Sequence, residues 1–340
     1  MRDALLQKRK TGASRWLRDD LPQMRWPLVL LSVVVACLSA GLACSFQGAA
    51  LLLSIPLLVL SVTAYSALIL LWRHMVALAV TGGIALAVLF CGGHWLTAVG
   101  ASASLLAISY TYACRFLAKD TRFVRVAATA SAVGICGLLL AMLYVGWHWG
   151  SLRDAIDALC AYGRELLLAR LQDSDTIVLP SAIDRFLGQL AATLPAIGGM
   201  GAILFAGLCD GAMQLLFWLL DCTDYFTPDA DKGVTSPRSF GILYGVLLFL
   251  VLTTDSTASP HLYTMLANCH WVFALPCFWV GLTRLWQKLR DLCIEHALYH
   301  HAPSPLLMVT CFVVIFGILG LSTAFTLTAI VGAGTILRRV

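Results

Sequence analysis

The chain has 340 residues, 60% of them hydrophobic and 12% charged, whereas an ordinary water-soluble domain carries about 25% charged residues. A mean hydropathy of +0.85 with so little charge along the whole length makes lipid the main solvent and excludes a soluble globular domain. The net charge of +5 forms no basic stripe, so nothing points to nucleic acid, and the twelve cysteines include no CxxC pair and read as packing residues.

Residues 1–26 form a polar, basic segment with Lys8, Arg9, Lys10, Arg15, Arg18 and Arg25. The apolar run that starts at Pro27 lacks a good processing site before Cys37 or Cys44, so it is expected to be a span and not a cleaved leader. Further runs follow at Ala49–Trp72, Val76–Cys91, Trp95–Cys114 and Val126–Trp147, each near the roughly 20 residues that a spanning helix needs. Residues 27–149 therefore read as an N-terminal bundle of five spans. Arg73, Arg115, Lys119, Arg122 and Arg125 alternate onto the side of the basic N-terminus. The positive-inside rule then places that terminus in the cytoplasm and the exit GWHWG outside.

Residues 150–189 change character. Leu152, Ile156, Leu159, Leu166 and Leu167 recur at helical spacing among Arg153, Asp154, Asp157, Arg164 and Glu165. That pattern predicts an amphipathic extramembrane helix, lying on the membrane or against the bundle. Ser181 and Asp184 then occupy capping-box-like positions for a helix restarting at Pro180.

Residues 190–340 read as a C-terminal bundle of four or five spans. The run Leu190–Leu220 is too long for one straight span, and Pro195 with Gly198, Gly199 and Gly201 predicts a kink. An acidic loop, spans at Phe240–Thr254 and Leu262–Trp286, and a last run at Leu306–Leu337 follow. Read as one span, the last run leaves Arg338 and Arg339 outside; bent near GLSTA, it returns them to the cytoplasm. The expected fold is thus an all-α polytopic integral membrane protein of about nine transmembrane helices, between eight and ten, with an amphipathic segment between the fifth and sixth.

The layout carries several short motifs. LPAIGGMGAILFAGLCDG follows the amphipathic segment, FALPCFWVGLTRLWQKLRD lies in the penultimate run, and IVGAGTILRRV ends the chain. Together they resemble the YybS-like family of uncharacterised bacterial membrane proteins. Leu194-Pro195 matches that family's Leu-Pro, Gly281-Leu282 after Pro276 matches its Gly-Leu, and Gly332, Gly334, Arg338 and Arg339 match its C-terminal turn, although its Asp is missing here. The family is distantly similar to the substrate-binding membrane subunits of energy-coupling-factor vitamin transporters. The resemblance implies a transport-related component of a bacterial cytoplasmic membrane, partnered by other membrane or ATP-binding subunits; the fold analogy names no substrate.

Ionisable groups within spans normally face a partner or a cavity, because burying their charge in lipid costs several kcal/mol. Asp210, with Gln214 one turn later, lies in the sixth span, and His270, close to Asn268, lies in the eighth. One expectation is that Asp210, Gln214, Asn268 and His270 line a common substrate-binding pocket; the other is that they only hydrogen-bond helices together. Ser102, Ser104, Ser109 and Thr111 read as packing residues bonded to their own helix.

CIEHALYHH places Cys293, His296 and His300 at i, i+3 and i+7, a possible ligand face. The same residues suit the polar juxtamembrane end of a span, and no resident metal or cofactor is expected. No GxSxG, HExxH, P-loop or GxGxxG occurs in a suitable context, so no enzyme is expected. The leading reading is a substrate-binding or permease-like transport component for a small molecule. A structural or assembly factor of the cell envelope is the alternative, and a membrane-embedded enzyme the third. The bilayer is the one partner that composition implies; the oligomeric state stays open.

Overall fold

The computed structural model describes residues 26–45, 51–71, 74–91, 95–118, 120–172, 180–219, 237–295, 310 and 320–338. It is all-helical, with 93% helix and no strand among the described residues. We number the helices α1 (Trp26–Ser45), α2 (Leu51–Leu71), α3 (His74–Phe90), α4 (Trp95–Leu117), α5 (Arg122–His148), α6 (Leu152–Gln172), α7 (Pro180–Leu219), α8 (Arg238–Thr253), α9 (Pro260–Glu295) and α10 (Leu321–Arg338). Each expected apolar run up to the eighth overlaps a helix, although α7 begins ten residues before its run and α9 ends nine residues beyond its run; of the last run only Thr310 and the part from Gly320 onward fall among the described residues.

The count of about nine spans is not confirmed. Among the described residues five helices, α2, α4, α5, α7 and α9, are long and apolar enough to cross a membrane, while the apolar stretches Leu30–Ala43, Ala79–Phe90, Arg238–Thr253 and Thr323–Arg338 are shorter. The 16 residues of α8 rise about 24 Å, short of a hydrocarbon core of about 30 Å. The C-terminal half of α5 is the clearest apolar surface: Leu138, Leu139, Met142, Leu143, Tyr144 and Trp147 are all exposed. Such a continuous apolar face is soluble only in lipid.

Two compact units emerge. One comprises Met1–Asp157 and Gly201–Gly233, the other Ala158–Met200 and Val234–Val340. Residues 189 and 190 fall inside the continuous helix α7, and the two compact units part within that helix after Met200. The physical reason is side-chain contact: Ala202 and Ala206 of α7 pack with Ala130 of α5, so this part of the helix joins the N-terminal bundle.

In the first unit, α1 packs on α2 and α3, and α4 packs on α2, α3 and α5. The core is built from small and medium residues, including Ala36, Ala40, Val62, Leu68, Ile84, Val88, Ala98 and Leu105. Between lipid-solvated helices the packing gain comes from close approach, which such residues permit. Ser61 Oγ donates to the Ala36 carbonyl at 2.9 Å, bonding α2 to α1. Ser66 Oγ donates to the Ser109 carbonyl and Ser109 Oγ to the Val62 carbonyl, each at 3.4 Å. Ser109 was expected to bond within its own helix, as Ser102 and Thr111 do; it crosses instead, because its face meets α2.

In the second unit, α8, α9 and α10 pack against one another. A Cβ on Gly281 would lie 1.9 Å from the Thr328 carbonyl oxygen, and one on Gly332 would lie 1.8 Å from the Cys277 carbonyl oxygen. These reciprocal glycines let the backbones of α9 and α10 touch. Gly320, the first residue of the GLSTA stretch, has φ 77°, a left-handed conformation that suits glycine, and it directly precedes α10; the course of residues 311–319, on which the expected bend depends, lies outside the described residues. At the start of α6, Ser151 Oγ accepts from the Asp154 amide at 3.2 Å and donates to the Asp154 carboxylate. Asp184 of α7 pairs with Arg164 of α6 at 3.4 Å, beside a shallow cleft of about 270 Å³ lined by Cys160, Arg164 and Leu187; the cap position before Pro180 lies outside the described residues.

Candidate functional site

Asp210 and Gln214 belong to the first unit. The Asp210 carboxylate has no solvent exposure and is saturated by side-chain donors. Arg122 Nε donates to Oδ2 at 2.9 Å and Arg125 Nε to Oδ1 at 3.1 Å. Tyr112 Oη donates to Oδ1 at 3.0 Å, and Gln214 Nε2 to Oδ2 at 2.7 Å. Two guanidinium groups on one buried carboxylate supply the counter-charge that a buried ion requires.

The local sequence explains how these donors converge. Thr121 caps α5, its hydroxyl accepting from the Val124 amide at 3.5 Å, so Arg122 and Arg125 fall one turn apart at the helix start, on one face. Arg125 is further held by Nη1 donation to the Asp120 carbonyl at 2.9 Å. Its guanidinium lies 5.3 Å from the ring centre of Phe116, and Phe116 stacks on Phe217 of α7. Close packing around Met213 and Ala113 excludes water from the carboxylate.

This arrangement corrects the expected depth of Asp210. Arg122 is the first residue of α5 and Tyr112 lies five residues before the end of α4. With α4 and α5 as spans, the cluster sits near the turn that joins them, at a membrane boundary and not at mid-span. A carboxylate there needs anchoring more than it needs a pathway.

Asn268 and His270 belong to the second unit, so the four expected residues divide into two groups with separate partners. Asn268 Nδ2 donates to the Ala192 carbonyl of α7 at 2.8 Å, next to the carbonyl that Pro195 deprives of its usual donor. Nearby, a Cβ on Gly199 would lie 2.7 Å from Val272, so the glycine-rich stretch of α7 does allow close approach to α9.

His270 is 6% exposed and Tyr244 of α8 is 1% exposed. Their rings stack with centroids 5.3 Å apart at 24°, and Trp271 meets the imidazole edge-on. His270 Nδ1 and Tyr244 Oη are both buried without a hydrogen-bond partner. His270 lies ten residues into α9, about 15 Å along it, close to half of a hydrocarbon core.

Tyr244, Tyr112, Arg122 and Arg125 are the participants that sequence reasoning missed. The two arginines read as ordinary positive-inside charges, although their i, i+3 spacing at a span's start signals a shared face. Neither tyrosine carries a sequence signal that separates it from packing residues. The CIEHALYHH group lies outside the described residues, apart from the backbone of Cys293 to Glu295. No known family, no curated protein and no solved structure matches this chain, so the resemblance to the YybS-like family rests on its quoted motifs alone.

Proposed function

We propose that the chain is a non-enzymatic, transport-related component of a bacterial cytoplasmic membrane, substrate-binding or permease-like, with its N-terminus in the cytoplasm. The observation that carries this reading is the contrast between the two polar groups. Asp210 has every need met by neighbouring side chains, as a structural ion does. His270 and Tyr244 are buried at mid-helix with polar atoms that the packing does not use. Intramembrane ionisable groups are costly and usually mark a substrate or ion path. The basic N-terminal segment and the YybS-like motifs favour the orientation and the transport class.

The second reading, an envelope structural or assembly factor, is favoured by the saturated Asp210 cluster, which locks helices and leaves no free carboxylate. Affinity purification of the full chain from native membranes separates the two. Stoichiometric co-purification of ATP-binding subunits, or substrate flux in proteoliposomes, supports transport. Co-purification of envelope-synthesis proteins, without flux, supports the assembly role and refutes the first.

A further inference from the structure

We infer that Tyr244 and His270 form a binding site for a small uncharged molecule bearing both a hydrogen-bond donor and an acceptor, such as an amide or a hydroxyl compound. This deepens the transport-related reading by naming its substrate class, and rests on that reading only for passage across the membrane. One observation, made at two neighbouring side chains, points to a ligand. Both side chains are more than nine-tenths buried, and each presents a polar atom, Oη and Nδ1, that no protein group satisfies among the described residues. Buried polar atoms are paired almost without exception in folded proteins, as Asp210 is here. Two exceptions in ring contact with each other are therefore a paired demand for one occupant.

The chemistry of that occupant follows from the donors on offer. A phenol both donates and accepts, and a neutral imidazole presents one nitrogen of each kind. In stacked rings the polar atoms lie at the ring edges, so an occupant meeting both sits beside the stack and not between the rings. Its surroundings are apolar and aromatic, with Ala274, Cys277 and Val280 in the same core and Trp271 against the imidazole.

Charge selects against ions. The nearest cation along α8 is Arg238, six residues before Tyr244, and its guanidinium donates from Nε and Nη2 to the Leu337 carbonyl at 3.3 Å. Asp255, in the turn between α8 and α9, is held by Thr257. Along α9, Arg284 is fourteen residues beyond His270, about 21 Å away. On α10 the cation is Arg338, two residues beyond Ile336 of the same core and at the exposed end of its helix; none of these charges is bonded to Tyr244 or His270, so a carboxylate or ammonium ligand would enter a core built of apolar side chains, which is strongly disfavoured.

The test uses three isosteres that differ in charge: acetamide, acetate and acetamidinium. Binding to the purified full chain is read by saturation-transfer NMR, and uptake by proteoliposomes containing the same protein. Acetamide is expected to bind while its charged isosteres do not. Tyr244→Phe, which removes one oxygen from an unchanged ring, and His270→Phe are each expected to weaken binding about tenfold, the equivalent of one hydrogen bond. Circular dichroism checks that both variants fold, and Asn268→Ala serves as a neighbouring control that keeps binding. Failure of acetamide to bind, equal binding of all three probes, or unchanged binding by a folded Tyr244→Phe protein overturns the inference. Acetamide binding without protein-dependent uptake retains the site and refutes the transport reading.

Discussion

Replacing Asp210 by alanine removes one carboxylate and leaves four donors behind. Arg125 carries most of the penalty, because it is 5% exposed and cannot regain its lost solvation; breaking a buried pair in this way costs about 3–5 kcal/mol. Arg122 has 42% side-chain exposure, so water and salt screen its share to about 1 kcal/mol or less. Tyr112 is 1% exposed, and a buried hydroxyl that loses its acceptor costs about 1–3 kcal/mol. These terms share one acceptor and do not add, so we expect a net loss of about 4 kcal/mol. The double variant Asp210→Leu, Arg125→Met removes both buried charges and replaces them with apolar side chains. It is expected to lose less than Asp210→Ala alone, since apolar substitution of a buried pair is often close to neutral. Equilibrium unfolding in mixed micelles, driven by a denaturing detergent and followed by circular dichroism, measures both. A single variant within about 1 kcal/mol of the parent, or a double variant worse than the single, would refute the anchoring role assigned to this cluster.

Gly332→Ala should destabilise the second unit by about 1–3 kcal/mol through overpacking, because its methyl group meets the Cys277 carbonyl. Gly334→Ala, with open space at the same point, should be neutral or gain up to about 1 kcal/mol from helix propensity; similar melting shifts for both would argue against the close α9–α10 contact. Ser61→Ala deletes the hydrogen bond to the Ala36 carbonyl and should cost about 0.6 kcal/mol, the average for interhelical bonds in membranes, measured in the same assay. Outside the spans, the Thr257 amide, and then its hydroxyl, hold the Asp255 carboxyl below the ordinary aspartate range. Because the folded value is depressed, this small contribution to the turn is complete at neutral pH. It fades as acid protonates the carboxylate. NMR titration of labelled aspartate should place Asp255 lower than an exposed aspartate, and Thr257→Val should raise it; an unmoved midpoint contradicts the assignment.

Much of the helical plan was legible because lipid imposes it. Runs such as Trp95–Cys114 and Val126–Trp147 must satisfy their own backbone in helices, and apolar length alone marks where. Gln214 beneath Asp210 was legible for a similar local reason, helix periodicity. The pairing of polar residues was not. Asp210 meets Arg122 and Arg125 across more than eighty positions of sequence, and nothing in an apolar helix states which face turns toward which neighbour. Hence the sequence grouped Asp210 with His270, both being ionisable residues in spans.

By itself, the sequence determined the solvent, the helical class and the places where helices begin, since these follow from composition and from backbone hydrogen bonding within each segment. Only the tertiary structure decided that α7 divides between two units after Met200, that the carboxylate is held by Arg122, Arg125, Tyr112 and Gln214, and that the imidazole Nδ1 stands unpaired beside Tyr244. Those outcomes depend on side-chain contacts between distant segments, where small residues allow approach and each buried polar atom either finds a partner or is left to bind something else.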